Sequence, residues 1–256
     1  MKKGIKKIFN YLGFEIKKVK KNSMQIGSTG RPVGRMDSLL EDLKKRGLIC
    51  NTILDVGANR TNWSRLAKKV YPSAHYCLIE PQAEMKKNLE DFCHEFENSV
   101  YFLAGAGPKK EALTFTVWDN LTGSSFLPLA DEILKKAGKQ REVEIITIDD
   151  LIESSQINMP DLIKLDVQGF ELEALKGAEK TFGHTEVYIL EASFFSFNDG
   201  PGMPVFSDVV NFMLERDYMV YDFPGFERRP LDGALAQCDI CFVQRNGFLR
   251  NSNEWR

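Results

Sequence analysis

The sequence predicts an α/β protein built on a doubly wound, mostly parallel sheet. From Met36 onward, short apolar runs alternate with amphipathic helical segments, as in parallel strands joined by helices on both faces of a sheet. Four predicted strands end in acidic residues, and the last two strands follow each other without a helix between them. The chain has 256 residues, 43% of them hydrophobic, which is enough for one sizeable core.

The first part of the chain differs from the rest. Residues 2–21 hold eight lysines and one acid, and their apolar residues fall on one helical stripe. We expect residues 1–35 to form a basic amphipathic arm and a Gly-rich linker, and residues 36–256 to form the α/β domain. The arm, Met1–Lys21, either packs on protein, including a second subunit, or lies on an anionic membrane surface.

The helices of the domain are predicted from apolar spacing and from their start and stop residues. Asp37 is a candidate cap for the first helix, Gly47 ends it, and Pro81 opens the third at its first turn. The predicted helices cover residues 36–47, 62–70, 81–96, 149–156, 170–182 and 207–217.

The strands are short runs rich in β-branched and aromatic residues. Because no clear helix separates the last two, they are expected to form an antiparallel pair at one edge of the sheet. The predicted strands are 52–56, 75–80, 100–107, 112–118, 142–148, 161–166, 186–193, 218–223 and 239–244.

Composition narrows the possible functions. The net charge of −2 argues against a nucleic-acid partner for the chain as a whole. Five scattered cysteines and the lack of a secretory signal are typical of a reduced, cytoplasmic protein. Cys238 and Cys241 form a C-x-x-C, but on a strand they would point to opposite faces, so we expect no metal there. No apolar run is long enough to span a membrane.

The acids at the strand ends are Asp55, Glu80, Asp166 and Glu191, and ligands of such sheets bind at this edge. Glu80 lies 25 residues after Asp55, close to the offset at which dinucleotide folds place an acid on a ribose. The first loop reads D-x-G-A-N and lacks the glycines that hold a pyrophosphate. The ligand is therefore expected to have a ribose without a phosphate chain, and S-adenosyl-L-methionine fits this description.

Four segments resemble the motifs of the FkbM family of S-adenosylmethionine-dependent methyltransferases: DVGANxxxxS, IEP, ITIDDL and DLIKLDVQGFELEALKG. The similarity covers roughly residues 37–245, and the last segment is the most distinctive. The resemblance implies a seven-stranded, Rossmann-like class I methyltransferase sheet. It also implies O-methylation of a sugar or glycan, or of a hydroxyl on a small natural product.

The resemblance further implies roles for individual residues. Asp55, Gly57 and Asn59 would hold the methionine end of the cofactor, and Glu80 would bind the ribose. The turn formed by Ala104, Gly105 and Ala106 would lie near the adenine, and Asp166 would stand close to the methyl group.

Transfer to an aliphatic hydroxyl benefits from a base that takes its proton. Asp166 is the first candidate for this base and Glu191 the second, since both are expected at the mouth of the site. Lys164, two residues before Asp166, could pair with it and keep it ionised. No metal is expected, because a third ligand beside these two acids is missing. The Ser-rich loop around Ser124 could close over the acceptor.

Two residues depart from the family pattern. Thr61 stands where the family usually has Gly, so a Cβ is added where the backbone turns. Gln168 stands where Glu is common, which removes a possible acid. These departures leave open a non-catalytic or weakly active binding module on the same fold. An NAD-dependent dehydrogenase is a third reading, disfavoured by the missing glycine fingerprint.

Overall fold

The computed structural model describes residues 30–127, 131–197 and 203–254. The chain divides between Pro32 and Val33, and every element described below belongs to the second unit. The predicted arm Met1–Lys21 lies outside the described residues.

Among the described residues the chain forms seven α-helices; six overlap predicted helical segments, and the short helix Glu132–Lys136 was not predicted. The first begins at Met36, and Asp37 is not its cap: Arg35 occupies the cap position, and the Asp37 carboxylate accepts a hydrogen bond from the Ser38 N–H within the first turn. The helices are α1 (Met36–Lys45), α2 (Asn62–Val70), α3 (Lys86–Glu95), α4 (Glu132–Lys136), α5 (Ile148–Glu153), α6 (Glu171–Lys176) and α7 (Phe206–Leu214).

The main sheet has seven strands in the order β3-β2-β1-β7-β8-β10-β9. The first five of these pair in parallel, and β10 is antiparallel to both β8 and β9. The strands are β1 (Thr52–Val56), β2 (His75–Ile79), β3 (Ser99–Phe102), β7 (Leu162–Leu165), β8 (Val187–Ser193), β9 (Tyr218–Arg228) and β10 (Leu235–Gln244). The predicted α/β class, the mostly parallel sheet and its antiparallel edge pair are confirmed.

A second, smaller sheet departs from the sequence prediction. It consists of β4 (Gly105–Ala106), β5 (Glu111–Thr116) and β6 (Gln140–Ile146), in the order β4-β6-β5. The prediction of one strand over residues 100–107 was therefore wrong, because the chain leaves the main sheet after Phe102. Gly105 lets the backbone pack closely here, since a Cβ would come within 2.4 Å of the Phe126 ring.

The edge strand β9 is longer than predicted. It continues through Pro224 and Gly225 to Arg228, where the sequence indicated a loop. A Cβ at Gly225 would lie 2.0 Å from a carboxylate oxygen of Asp239 on β10, so only glycine allows the two strands to approach there.

The apolar core lies on both faces of the main sheet. Cys238 packs in the cluster on one face and Cys241 in the cluster on the other, as expected for residues three apart on a strand. Within the described ranges, no helix has both the length and the apolar character needed to cross a membrane.

Candidate active site

A cavity of about 480 Å³ opens at the carboxyl ends of β1, β2, β7 and β8. Parallel strands bring their carboxyl ends to one edge of the sheet, so residues distant in sequence meet there. Most of the predicted site residues line this cavity: Gly57, Asn59, Glu80, Gly105, Ala106, Asp166 and Glu191. The predicted residues Asp55 and Ala104 are not part of its wall.

Glu80 directly follows β2 and is held rigidly by the backbone around it. Its Oε2 accepts the N–H of Asn59 at 2.7 Å, and its Oε1 accepts the N–H of Gln82 at 2.9 Å. The side chain is buried, and burial raises the pKa of Glu80 while the two backbone donors oppose that rise. Each oxygen keeps a second lone pair with which it can accept a ligand hydroxyl.

The loop after β1 takes backbone conformations that restrict its residues. Gly57 has a φ of 81°, and a Cβ there would lie 2.0 Å from the carbonyl oxygen of Asp166. Asn59 and Thr61 are also left-handed, with φ of 43° and 61°. Thr61 therefore places a β-branched side chain where glycine is the unstrained choice.

Asp55 lies beneath the cavity rather than on its wall. It is the penultimate residue of β1, paired in register with Lys164 on β7, and it is fully buried. Its Oδ2 accepts the Ser64 hydroxyl at 2.5 Å, and its Oδ1 is 4.0 Å from the Lys164 Nζ with no hydrogen-bond partner among the described residues. Burial raises the pKa of Asp55, and Lys164 and Ser64 act against it.

Asp166 follows β7 and has both oxygens engaged. Its Oδ2 accepts the Lys164 ammonium at 2.9 Å, and its Oδ1 accepts the Gln168 side-chain amide at 2.7 Å. Burial alone would raise the pKa of Asp166, but the charge and hydrogen bonds of these neighbours outweigh it and lower the pKa. Gln168 reaches this position from a left-handed backbone with φ of 55°.

Glu191 is the second acid at the end of the cavity where Asp166 lies. It does not end β8, as the sequence indicated, but lies within the strand, which continues to Ser193. Its Oε2 accepts two side-chain amides, Gln168 Nε2 at 2.8 Å and Gln237 Nε2 at 2.9 Å. Burial raises the pKa of Glu191 well above its usual range, and the negative charge of Asp166 raises it further.

The Ser-rich loop predicted to cover the acceptor forms part of the cavity wall through Asn120, Thr122, Gly123 and Ser124. The Ser125 hydroxyl donates to the carbonyl of Gln168 at 2.8 Å, and the Asn59 side-chain amide donates to the carbonyl of Leu121 at 3.3 Å. The loop is thus attached to both ends of the site.

Several wall residues were missed from the sequence: Arg60, Trp63, Gln82, Glu227 and Gln237. Gln82 is 3% exposed, and its Oε1 has no hydrogen-bond partner among the described residues. Its position directly after the IEP segment is the signal that could have found it. Gln237 had no such signal, because only the pairing of β10 with β8 brings it to Glu191.

The sequence of this chain is similar to those of known methyltransferases. The model of the methyltransferase FkbM domain matches residues 55–220. The methyltransferase sdnD of Sordaria araneosa is 28% identical over 158 residues, which are 50% of this chain and 60% of that protein. The hexuronic acid methyltransferase AglP of Haloferax volcanii is 29% identical over 122 residues, 46% of this chain and 50% of that protein.

The chain thus spans about half to three-fifths of the length of these relatives. A crystal structure of an FkbM methyltransferase from Methylobacillus flagellatus aligns over 74% of this chain and 43% of that chain, with 18% identity and a TM-score of 0.49. The assignment rests on the sequence match, which covers well over half of the chain and includes Asp55, Glu80, Asp166 and Glu191. The chain belongs to the FkbM methyltransferase family.

Proposed function

We propose that this chain is an O-methyltransferase that methylates a hydroxyl of a sugar, a glycan or a small natural product. The observation that carries the proposal is the polarity of one cavity. A buried carboxylate, Glu80, lies on the wall after β2, while Asp166 and Glu191 lie after and within the neighbouring strands β7 and β8. Glu80 suits a ribose diol, and the pair Asp166 and Glu191 suits an acceptor hydroxyl.

The residues present fit the cofactor. The Glu80 oxygens have lone pairs for two hydroxyls, and the unpaired Oε1 of Gln82 beside them can accept a further hydrogen bond from the nucleoside. Gly57 and Asn59 would hold the amino-acid end, and Gly105 with Ala106 would leave room for the adenine. Asp55, beneath the cavity, would support these wall residues through its contact with Lys164. When bound, S-adenosyl-L-methionine supplies an electrophilic methyl group.

The chain itself must then orient the acceptor and manage its proton. The acceptor end is lined by carboxylates and side-chain amides, Asp166, Gln168, Glu191, Glu227 and Gln237. Such groups accept and donate hydrogen bonds to hydroxyls, and fixing the hydroxyl in line for transfer is a large part of the rate enhancement. The name of one relative, a hexuronic acid methyltransferase, supports a sugar as the first acceptor class to test.

Calorimetry with S-adenosyl-L-methionine and with NAD tests the cofactor part. We expect binding of the first and no heat with the second. Glu80→Gln should weaken S-adenosyl-L-methionine binding by about tenfold or more, because one anionic acceptor of the ribose becomes a neutral amide. Glu84→Gln, an exposed acid outside the cavity wall, is the control and should bind as the unchanged protein does.

Mass spectrometry of candidate acceptors tests the reaction. Sugars and small polyhydroxylated compounds incubated with protein and cofactor should gain the mass of one methyl group on oxygen. Methylation found only on nitrogen would contradict the proposal. If the protein bound neither S-adenosyl-L-methionine nor NAD, the result would favour the hypothesis of a non-catalytic binding module.

A further inference from the structure

We infer that Glu191 is the general base for the acceptor hydroxyl, and that Gln168 and Gln237 are positioning residues that fix its orientation. The inference rests on the proposed function and deepens it. It reverses the order expected from the sequence, in which Asp166 was the first candidate for the base. It also gives a role to Gln168, one of the two departures from the family pattern.

The hydrogen bonds around Glu191 are unequal. Two side-chain amide nitrogens converge on Oε2, at 2.8 and 2.9 Å, from Gln168 and Gln237. An ionised carboxylate can only accept, so the nitrogen of each amide must face it. Among the described residues, Oε1 has no hydrogen-bond partner, and it is not one of the buried unpaired atoms. Oε1 is therefore the oxygen that opens on the cavity.

Asp166 is poorly suited to take a proton. Both of its oxygens already accept a hydrogen bond, one from the ammonium of Lys164 and one from the amide of Gln168. The Lys164 side chain is only 7% exposed, so protonation of Asp166 would leave a buried cation that is short of a partner. Asp166 thus serves as the anion that keeps Lys164 and Gln168 in place.

Gln168 links the two acids with a single amide group. Its two N–H bonds reach Asp166 Oδ1 and Glu191 Oε2, which uses the full donor capacity of the amide. A glutamate at this position would put a third carboxylate between them and remove both bonds. The glutamine therefore separates the acids into Asp166, which the ion pair with Lys164 favours in its ionised form, and Glu191, which can exchange a proton at Oε1.

The proton balance is simple. The acceptor O–H gives its proton to Glu191 Oε1, and the freed electron pair on oxygen forms the new C–O bond. The C–S bond of the donor breaks, and its electron pair stays on sulfur. The proton then leaves Oε1 through the open cavity, which restores the base.

The charges around Glu191 come from four groups, which lie on β7, in the turn after β7, on α6 and on β10. Asp166, Glu171 and Asp239 raise the pKa of Glu191 in addition to burial, and Lys164 lowers it. Since the base must be ionised, methyl transfer should increase as pH rises through the pKa of Glu191. A pKa above the usual carboxyl range also makes this carboxylate a stronger base than an exposed one.

Carboxyl ¹³C NMR on the cofactor-free protein tests the arrangement without any acceptor. The Glu191 resonance is assigned from its loss in Glu191→Gln. We expect Gln168→Met and Gln237→Met each to raise the titration midpoint of Glu191, because each removes a donor to Oε2. Gln156→Met, which removes an exposed side-chain amide that donates to the Ser154 hydroxyl, should leave the Glu191 midpoint unchanged. A Glu191 midpoint that neither cavity variant moves would overturn the positioning role.

Kinetics with an acceptor found as above test the base itself. Glu191→Gln should lower kcat by about 100- to 10,000-fold with little change in cofactor affinity. Gln168→Met and Gln237→Met should lower kcat about tenfold and move the rising limb of the pH profile to higher pH. Loss of that limb in Asp166→Asn, with kcat retained in Glu191→Gln, would assign the base to Asp166 instead.

These results are separable from a failure of the proposed function. If the unchanged protein does not bind S-adenosyl-L-methionine, this result contradicts the proposed methyltransferase function but not the hydrogen-bonded arrangement of Glu191. The NMR titration needs neither cofactor nor acceptor, so it supports or refutes the hydrogen-bonded arrangement of Glu191 in either case. Thermal melting of each variant shows whether it is folded before its titration is interpreted.

Discussion

Glu171 is a buried carboxyl that stabilises, through hydrogen bonds, the loop that carries Asp166 and Gln168. It belongs to the GFE part of the most distinctive sequence motif, and it accepts the backbone N–H of Val167 at 2.9 Å and of Gly169 at 3.0 Å. Burial raises the pKa of Glu171 to about 7, although the backbone donors act against the rise. Its protonation state therefore changes near neutral pH, within hydrogen-bonding distance of the turn that carries Asp166 and Gln168.

This raised pKa predicts a pH dependence of stability. In the folded protein Glu171 holds its proton up to about pH 7, whereas the ordinary value is 4.5, so the folded state binds more protons between these limits. Its contribution to the free energy of unfolding is full below pH 4.5 and is lost as pH rises through 7. Glu171→Gln should remove up to about 3 kcal/mol of the fall in stability between pH 5 and pH 8.

Chemical denaturation at several pH values measures this effect. Buried acids whose pKa is also raised, Asp55, Glu80 and Glu191, contribute with the same sign, and Asp166, whose pKa is lowered, contributes with the opposite sign. The comparison is therefore between the slopes of Glu171→Gln and of the unchanged protein. Glu173→Gln, a partly exposed residue of the same helix, is the control and should keep the original slope. Equal slopes for Glu171→Gln and the control would contradict the assignment.

At the scale of elements, the site depends on how closely two turns approach each other. The turn after β1 and the turn after β7 meet where a Cβ at Gly57 would strike the carbonyl of Asp166. Gly183 has the same φ of 81° but no atom near its hypothetical Cβ. Substitutions at these two glycines therefore distinguish the cost of backbone strain from the cost of a steric collision.

Gly183→Ala should cost about 1 kcal/mol, the penalty of a left-handed alanine. Gly57→Ala carries the same penalty and a collision with backbone, so it should cost about 3 kcal/mol and weaken cofactor binding. Denaturation curves for both variants measure the difference. Equal losses would mean that the turns can move apart and that their close approach is not required.

For the molecule as a whole, local sequence patterns were sufficient to predict much of the fold. The helix over residues 62–70 was predicted with the bounds that the structure gives it, because apolar spacing and Pro72 are local signals. Glu80 and Asp166 were placed at strand ends for the same reason, since each follows a short, mostly apolar run.

What the sequence could not predict depends on contacts between distant residues. Strand β4 has only two residues, and it exists because Gly105 and Ala106 pair with Ile145 and Ile146. Asp55 follows the same pattern as Glu80, but its register opposite Lys164 takes it beneath the cavity wall. The order β8-β10-β9, which brings Gln237 to the site, has no local signature either.

Cofactor binding should stabilise the whole fold. At a concentration 100 times its Kd, S-adenosyl-L-methionine should raise the free energy of unfolding by about 2.7 kcal/mol. Gln82→Met should reduce this gain, because it removes the unpaired Oε1 that awaits a donor, while the unliganded protein melts as before or slightly higher. Thermal melts with and without cofactor check both expectations. An undiminished gain would show that Oε1 does not contact the nucleoside.

The position of β10 between β8 and β9 has a consequence during synthesis on the ribosome. Until residues 235–244 have been translated, β8 has one unpaired edge and β9 lacks the strand with which it pairs in the described sheet. A nascent chain paused before this point would expose rows of free N–H and C=O groups, which invite association with other chains. Pairing of β10 with β8, which also brings Gln237 to Glu191, can therefore occur only after residues 235–244 have been translated.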